Sequence, residues 1–151
     1  QTLLEAGDRF DFITHHVYDS DGNGDVTDRL EDNTLFGGRP SFWDATAPSV
    51  KEVLESTGWL GKKPVWLTET GWESARASEA KQAAWYGGLL DDWFTGKRGR
   101  DWVDKVFFYE MRDGSAPDSP SWGILRPDGS PKPAYDAYRR FTAAHKEGAE
   151  D

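Results

Sequence analysis

One carboxylate stands where a charge is costly to place. Pro64-Val65-Trp66-Leu67-Thr68 reads as a short strand, and it stops at Glu69, followed by Thr70-Gly71-Trp72. A charge at the tip of a buried strand, beside an indole, needs partners or its pKa rises until it is neutral. Chemistry that holds a carboxylate against a flat, partly apolar ligand uses such a place, and sugar hydrolysis is the leading example. The plainer reading is a strand-end glutamate that caps the next helix or pairs with an arginine. Two further strand ends offer related groups. His15, His16 and Tyr18 close the run 10–18, while Tyr109, Glu110 and Asp113 close and follow the run 105–109. No GxxxxGK[ST] or GxGxxG phosphate loop, no HExxH and no GxSxG turn occurs in the chain. Carboxylate, imidazole and aromatics remain, which is the residue set of a glycosidase.

Composition narrows the partners. With 27 acidic against 18 Lys and Arg residues, the formal charge is −9, so nucleic acid is not an expected partner. The basic cluster Lys97-Arg98-Gly99-Arg100 precedes Asp101 in a Gly-containing turn and reads as a solvated loop. Cysteine is absent, which removes disulfides and thiolate metal sites and fits either redox compartment. No apolar run approaches the roughly 18 residues of a membrane helix, and no signal peptide is visible. Eight Trp, eight Phe and five Tyr are more than packing alone usually calls for, and in an acidic chain such faces suit sugar rings better than bases.

Three strand-then-helix units position these groups. Residues 10–18 form the first strand, followed by a long polar loop from Asp19 to about Thr46. Pro48 opens a helix with Val50, Val53 and Leu54 on one face and Gly58 as its stop. Residues 64–68 are the second strand. Residues 78–94 are the second helix, with Ala80, Ala83, Ala84, Gly87, Leu90 and Phe94 at helical spacing. Residues 105–109 are the third strand, and 133–145 the last helix, with Tyr135, Tyr138 and Phe141 inward. Leu3 and Leu4 look like the tail of a preceding helix. Alternation of this kind predicts an α/β chain with parallel strands, whose functional groups collect at the C-terminal strand ends. At 151 residues one domain is expected, with no second domain. Three such units leave both outer strands with open edges, so the chain is expected to be part of a larger barrel or sheet.

The ordered motifs resemble the C-terminal part of the clan A glycoside hydrolases, (β/α)8 TIM barrels that include cellulase-like and β-xylosidase-like families. Trp66-Leu67-Thr68-Glu69-Thr70-Gly71-Trp72 is similar to the clan's nucleophile motif at the end of strand seven. His16-Val17-Tyr18 matches the His-x-Tyr of strand six, and Phe107-Phe108-Tyr109-Glu110 occupies the place of the strand-eight aromatic. Trp122-Gly123-Ile124-Leu125 and Asp128-Gly129-Ser130-Pro131-Lys132-Pro133-Ala134-Tyr135 resemble the tail leading into the final helix. The resemblance implies a partial barrel, strands six to eight, and retaining hydrolysis of an oligo- or polysaccharide. Secretion is the habit of such enzymes.

Within that resemblance Glu69 is the expected nucleophile. Tyr18 is expected to donate to it, and His16 to hold a sugar hydroxyl or tune the carboxylates. Tyr109 is the expected sugar platform, Trp72 the wall of the next subsite, and Trp122 a further lining residue. His15, by alternation, and Trp85 and Trp93, on a helix, are expected to pack. The clan's acid/base is a glutamate after asparagine on strand four, and no Asn-Glu pair occurs here. A retaining site needs its two carboxyls about 5–5.5 Å apart. Glu110 is a candidate for the second, but strand alternation sends Tyr109 and Glu110 to opposite sides. The chain is therefore expected to need the N-terminal barrel half or self-association, and to be inactive alone. A carbohydrate-binding or catalytically silent module is the rival reading. No organic cofactor is expected. Asp19, Asp21, Asn23 and Asp25, with Gly24 at position six, follow a Ca²⁺ loop, but Leu30 stands where its bidentate Glu belongs. A Ca²⁺-stabilised loop and a plain acidic turn both fit that segment.

Overall fold

The computed structural model describes residues 9–18, 48–95 and 102–145. Three strands, β1 (Ile13–His16), β2 (Val65–Thr70) and β3 (Lys105–Phe108), form one sheet in the order β1-β2-β3. Both pairings are parallel, with Ile13 opposite Val65 and Leu67 opposite Val106. Asp104 ties the start of β3 to β2, its carboxylate accepting from the Val65 N–H at 2.8 Å. The helices are α1 (Val50–Ser56), α2 (Glu79–Phe94) and α3 (Pro133–Ala144). The chain is thus a small α/β unit of parallel strands joined through helices. The predicted Ca²⁺ loop (Asp19, Asp21, Asn23, Asp25), Leu3, Leu4 and the basic cluster 97–100 lie outside the described residues.

Local chemistry accounts for the helix ends. Ser49 accepts from the Glu52 N–H at 3.2 Å while Glu52 accepts from the Ser49 N–H at 2.7 Å, a reciprocal capping box that starts α1. Hydrogen bonds to the Glu52 carboxyl from the Ser49 backbone N–H and then from the Ser49 side chain hold it below its ordinary range. Gly58 adopts φ +70° just after the helix, a left-handed conformation that costs glycine little, and α1 stops there as expected. Ser78 caps α2 through the Lys81 N–H, and Pro133 opens α3 at a position where its missing N–H has no cost.

The core lies on one side of the sheet. Val65 and Leu67 of β2 pack against Leu54, Trp85, Tyr86, Leu89, Trp93 and Ala134. Trp85 and Trp93 pack, as expected. The buried face of α2 differs from the small-residue stripe predicted for it. Gln82, Trp85, Tyr86, Leu89, Leu90 and Trp93 are buried, Leu90 as expected, while Ala80, Ala84 and Phe94 are exposed. Both stripes have helical period, and the larger side chains remove more apolar area from water, so they win the core. In α3, Ala134 is the fully buried residue, and Tyr138 lies on the rim of a groove with Phe141, Leu90, Phe94 and Phe108.

Among the described residues, no helix covers the other side of the sheet. There Phe12 stacks on Trp66 at 4.1 Å, Phe107 lies 6.2 Å from the same indole, and Lys105 Nζ sits 4.4 Å above it. Phe12 and Phe107 are 42% and 49% exposed. Among the described residues no helix is long and apolar enough to cross a membrane.

Candidate active site

Glu69 and His16 meet across β1 and β2. Register carries His15 opposite Leu67, then slips so that His16 faces Glu69. Strict alternation from Leu67, whose side chain is in the helix-covered core, would send Glu69 into that core as well. The irregularity re-aims it instead, as bulges do beside functional sites. His16 Nδ1 lies 3.0 Å from Glu69 Oε2, with both side chains open to solvent. His15 falls on the half-buried side of β1 with Ile13, as alternation predicts.

Tyr18 completes the carboxylate's surroundings. Its hydroxyl donates to Glu69, and its pKa is pushed well above 10.0. Burial is the main cause, followed by the hydrogen bond to Glu69 and by the negative charge of Glu69, with Tyr109 and Glu110 adding to it. The buried Tyr86 phenol is raised too, first by burial and then by Tyr18 and Glu110. A raised pKa means that the folded chain keeps a proton which the unfolded chain gives up. The stability linked to these phenols is therefore fully present below pH 10 and falls as pH rises through it. Two of the chain's five tyrosines are expected to give no phenolate absorbance on passing pH 10 until the protein unfolds. Tyr18→Phe should make the alkaline loss of stability shallower. Native ionisation of the Tyr18 phenol near pH 10 would show instead that its burial against Glu69 does not hold.

Trp122 is the aromatic centre of the site. Its indole meets Tyr18 edge-on at 5.2 Å and Tyr109 at 6.3 Å, and the Arg76 guanidinium lies 5.9 Å over its ring. Tyr109, the expected platform, is 39% exposed beside it. Gly71 makes this convergence possible. A Cβ there would fall 2.0 Å from the Tyr109 carbonyl oxygen and 3.2 Å from Trp122 Cε3. Trp72 departs from expectation. It is 2% exposed and belongs to the core cluster, so it presents no indole face for a sugar. Its position, three residues past Glu69, turns it under the strand end rather than over it.

β3 ends at Phe108, and Tyr109 and Glu110 follow it, joined by a cis peptide, with Tyr109 the more exposed of the two. Both are near enough to Tyr18 to act on its phenol. Among the described residues, no group of three or more His, Asp or Glu side chains is placed to hold a metal ion.

Several supporting residues carried no signal in the sequence that set them apart. Lys132 is 1% exposed and pairs with Asp113 Oδ2 at 2.7 Å. Gln82 is buried on α2 and donates to three carbonyls. Arg126 forks onto Glu79 at 2.6 and 2.9 Å, tying the last loop to the first turn of α2. A groove of about 740 Å³ opens between α2, β3 and α3 on the helix-covered side and includes none of the groups around Glu69.

No family model matches the chain, and no curated protein matches it. Solved structures do. It is similar to a family 39 glycoside hydrolase from the gut symbiont Bacteroides cellulosilyticus WH2, at 26% identity and a TM-score of 0.63 over 97% of this chain and 30% of that one. A β-glucuronidase from Faecalibacterium prausnitzii matches at 18% identity and a TM-score of 0.55, over 93% of this chain and 23% of that one. Xylanase 10B from Thermotoga maritima matches at 18% identity and a TM-score of 0.52, over 95% and 40%. The last two similarities are of fold alone. The chain spans less than half the length of each of these glycoside hydrolases.

Proposed function

We propose that this chain is the nucleophile-bearing part of a retaining glycoside hydrolase acting on an oligo- or polysaccharide. The observation that carries the reading is Glu69 held between His16 at 3.0 Å and the Tyr18 hydroxyl, beneath an aromatic wall. The neighbouring glycoside hydrolases support it. In the proposed reaction the Glu69 carboxylate attacks the anomeric carbon as the glycosidic oxygen departs with a proton from a second carboxyl. Water then breaks the glycosyl ester and the proton returns. Tyr18 and His16 hold the carboxylate in line, and Trp122 and Tyr109 bear the apolar face of the ring.

The second carboxyl and the missing cover are proposed to come together. A sheet that, among the described residues, has an uncovered aromatic face and two unpaired edges is completed in this reading by further parallel strands, which make the three units here strands six to eight of a (β/α)8 barrel. Such a partner, the N-terminal barrel half or an equivalent, brings the acid/base. The Ca²⁺ loop at Asp19, Asp21, Asn23 and Asp25 remains part of the proposal only as a structural element, to be tested by calorimetric titration with Ca²⁺.

The deciding experiment is turnover of a panel of aryl β-glycosides by this chain, alone and joined to the preceding barrel strands. Activity only in the joined form, with retained anomeric configuration, is the expected result. Turnover by the chain alone would mean that Glu110 already serves as the second carboxyl. Sugar binding without turnover in either form would replace the enzyme reading with a carbohydrate-binding module.

A further inference from the structure

The segment Ser121-Trp122-Gly123 is held by buried polar groups from three directions. Gln82, fully buried on α2, donates its amide to the carbonyls of Trp72 (2.8 Å), Trp122 (3.2 Å) and Gly123 (3.3 Å). Lys132, just before α3, donates to Ser74 Oγ at 3.1 Å and the Ser121 carbonyl at 3.3 Å, and pairs with Asp113. The other Asp113 oxygen accepts from the Gly123 N–H at 2.7 Å. From the loop after β2, the Ser74 N–H donates to the Ser121 carbonyl at 3.0 Å and the Ala75 N–H to Ser121 Oγ at 2.8 Å. Gly123 admits this closeness, since a Cβ on it would fall 2.3 Å from the Asp113 nitrogen. Trp122 enters none of these bonds with its side chain, and its ring is left to face Tyr18, Tyr109 and Arg76.

Burying an ammonium and a carboxylate costs several kcal/mol per ion before pairing. Apolar side chains would fill the same space more simply. All three ammonium hydrogens of Lys132 are matched to acceptors on Asp113, Ser74 and Ser121, the condition under which a buried charge selects a single backbone conformation. The Gln82 amide spends its N–H groups on the segment, and its oxygen is buried without a hydrogen-bond partner among the described residues. Here the conformation selected is that of the backbone on either side of one tryptophan. We propose that Gln82 and Lys132, which themselves lie outside the site, are positioning residues that fix Trp122 as its wall. The use made of that wall rests on the glycosidase reading; its fixation rests on the geometry alone.

The test uses the full chain carrying 5-fluorotryptophan, with the Trp122 fluorine line assigned through Trp122→Phe. A single narrow Trp122 line is expected in the native protein. Gln82→Met keeps the volume and removes the amide, and should split or broaden that line while leaving those of Trp85 and Trp93 in place. Lys132→Met combined with Asp113→Asn should do the same without stranding a charge. In the barrel-completed form, Gln82→Met should raise KM roughly tenfold to a hundredfold with kcat nearly held, the signature of a displaced binding wall. A Trp122 line unmoved in both variants, with only a lower melting temperature, would overturn the proposal and leave a purely structural role. If no glycoside is bound or turned over but the line responds, the glycosidase reading falls and the positioning role stands.

Discussion

Glu69→Gln is expected to lower turnover by the barrel-completed enzyme on the order of 10⁵-fold, the scale on which loss of a covalent nucleophile acts, with the fold unchanged. The amide keeps the shape of the side chain and can still meet Tyr18 and His16, but it cannot form the glycosyl ester. Glu69→Gly separates a nucleophile from an ion-pair partner. With the carboxylate gone, azide can enter the space, attack the anomeric carbon itself and expel the aryl alcohol, giving a glycosyl azide of inverted configuration. Recovery of turnover by azide, with that inversion, is the expected outcome. Near-normal activity of Glu69→Gln would make the His16–Glu69 pair structural and would sink the mechanism.

The second large effect is on stability. Lys132→Met is expected to cost about 3–5 kcal/mol, because it leaves the Asp113 carboxylate, 10% exposed, without its ammonium partner. Asp113→Asn introduced alongside it should recover a substantial part of that loss, since two neutral side chains strand no charge. Urea denaturation of the two variants at pH 7 measures both quantities. A loss below about 1 kcal/mol in the single variant would show that the pair behaves like an exposed one, and the buried clamp described around Ser121 would then be wrong.

The two effects have different visibility in the sequence. Glu69 was legible because three local signals coincided: a β-rich run opened by proline, an abrupt carboxylate, and Gly71-Trp72 after it. The three strands, and the helix ends at Gly58, Ser78 and Pro133, were legible for the same reason, since capping and turn chemistry act within a few residues, whereas the first helix starts at Val50 behind a Ser49 cap rather than at Pro48. β1 proved shorter than the run 10–18 because Phe10 and Phe12 pack through their rings, against Trp59 and Trp66, ahead of the ladder. On α2, Leu90 is buried and Ala83 packs against the core as expected, but Ala80 and Ala84 yield to Gln82-Trp85-Tyr86-Leu89, which has the same period. Which stripe turns inward depends on what lies opposite, and that is a property of the sheet.

The site divides along the same line. Residue types and their order along the chain sufficed to place a carboxylate, an imidazole and a phenol at successive strand ends, because parallel strands joined through helices bring those ends to one side. Whether they meet was decided by contacts between segments far apart in the chain. The slip in register at His16 aims Glu69 away from the core, and burial of Trp72 removes the expected subsite wall. Trp122 stands against Tyr18 and Tyr109 instead, its backbone held by Gln82 and its neighbours by Asp113 and Lys132. Local propensity reaches only a few residues, whereas register, facing and the saturation of a buried charge are settled by partners 10 to 58 residues away.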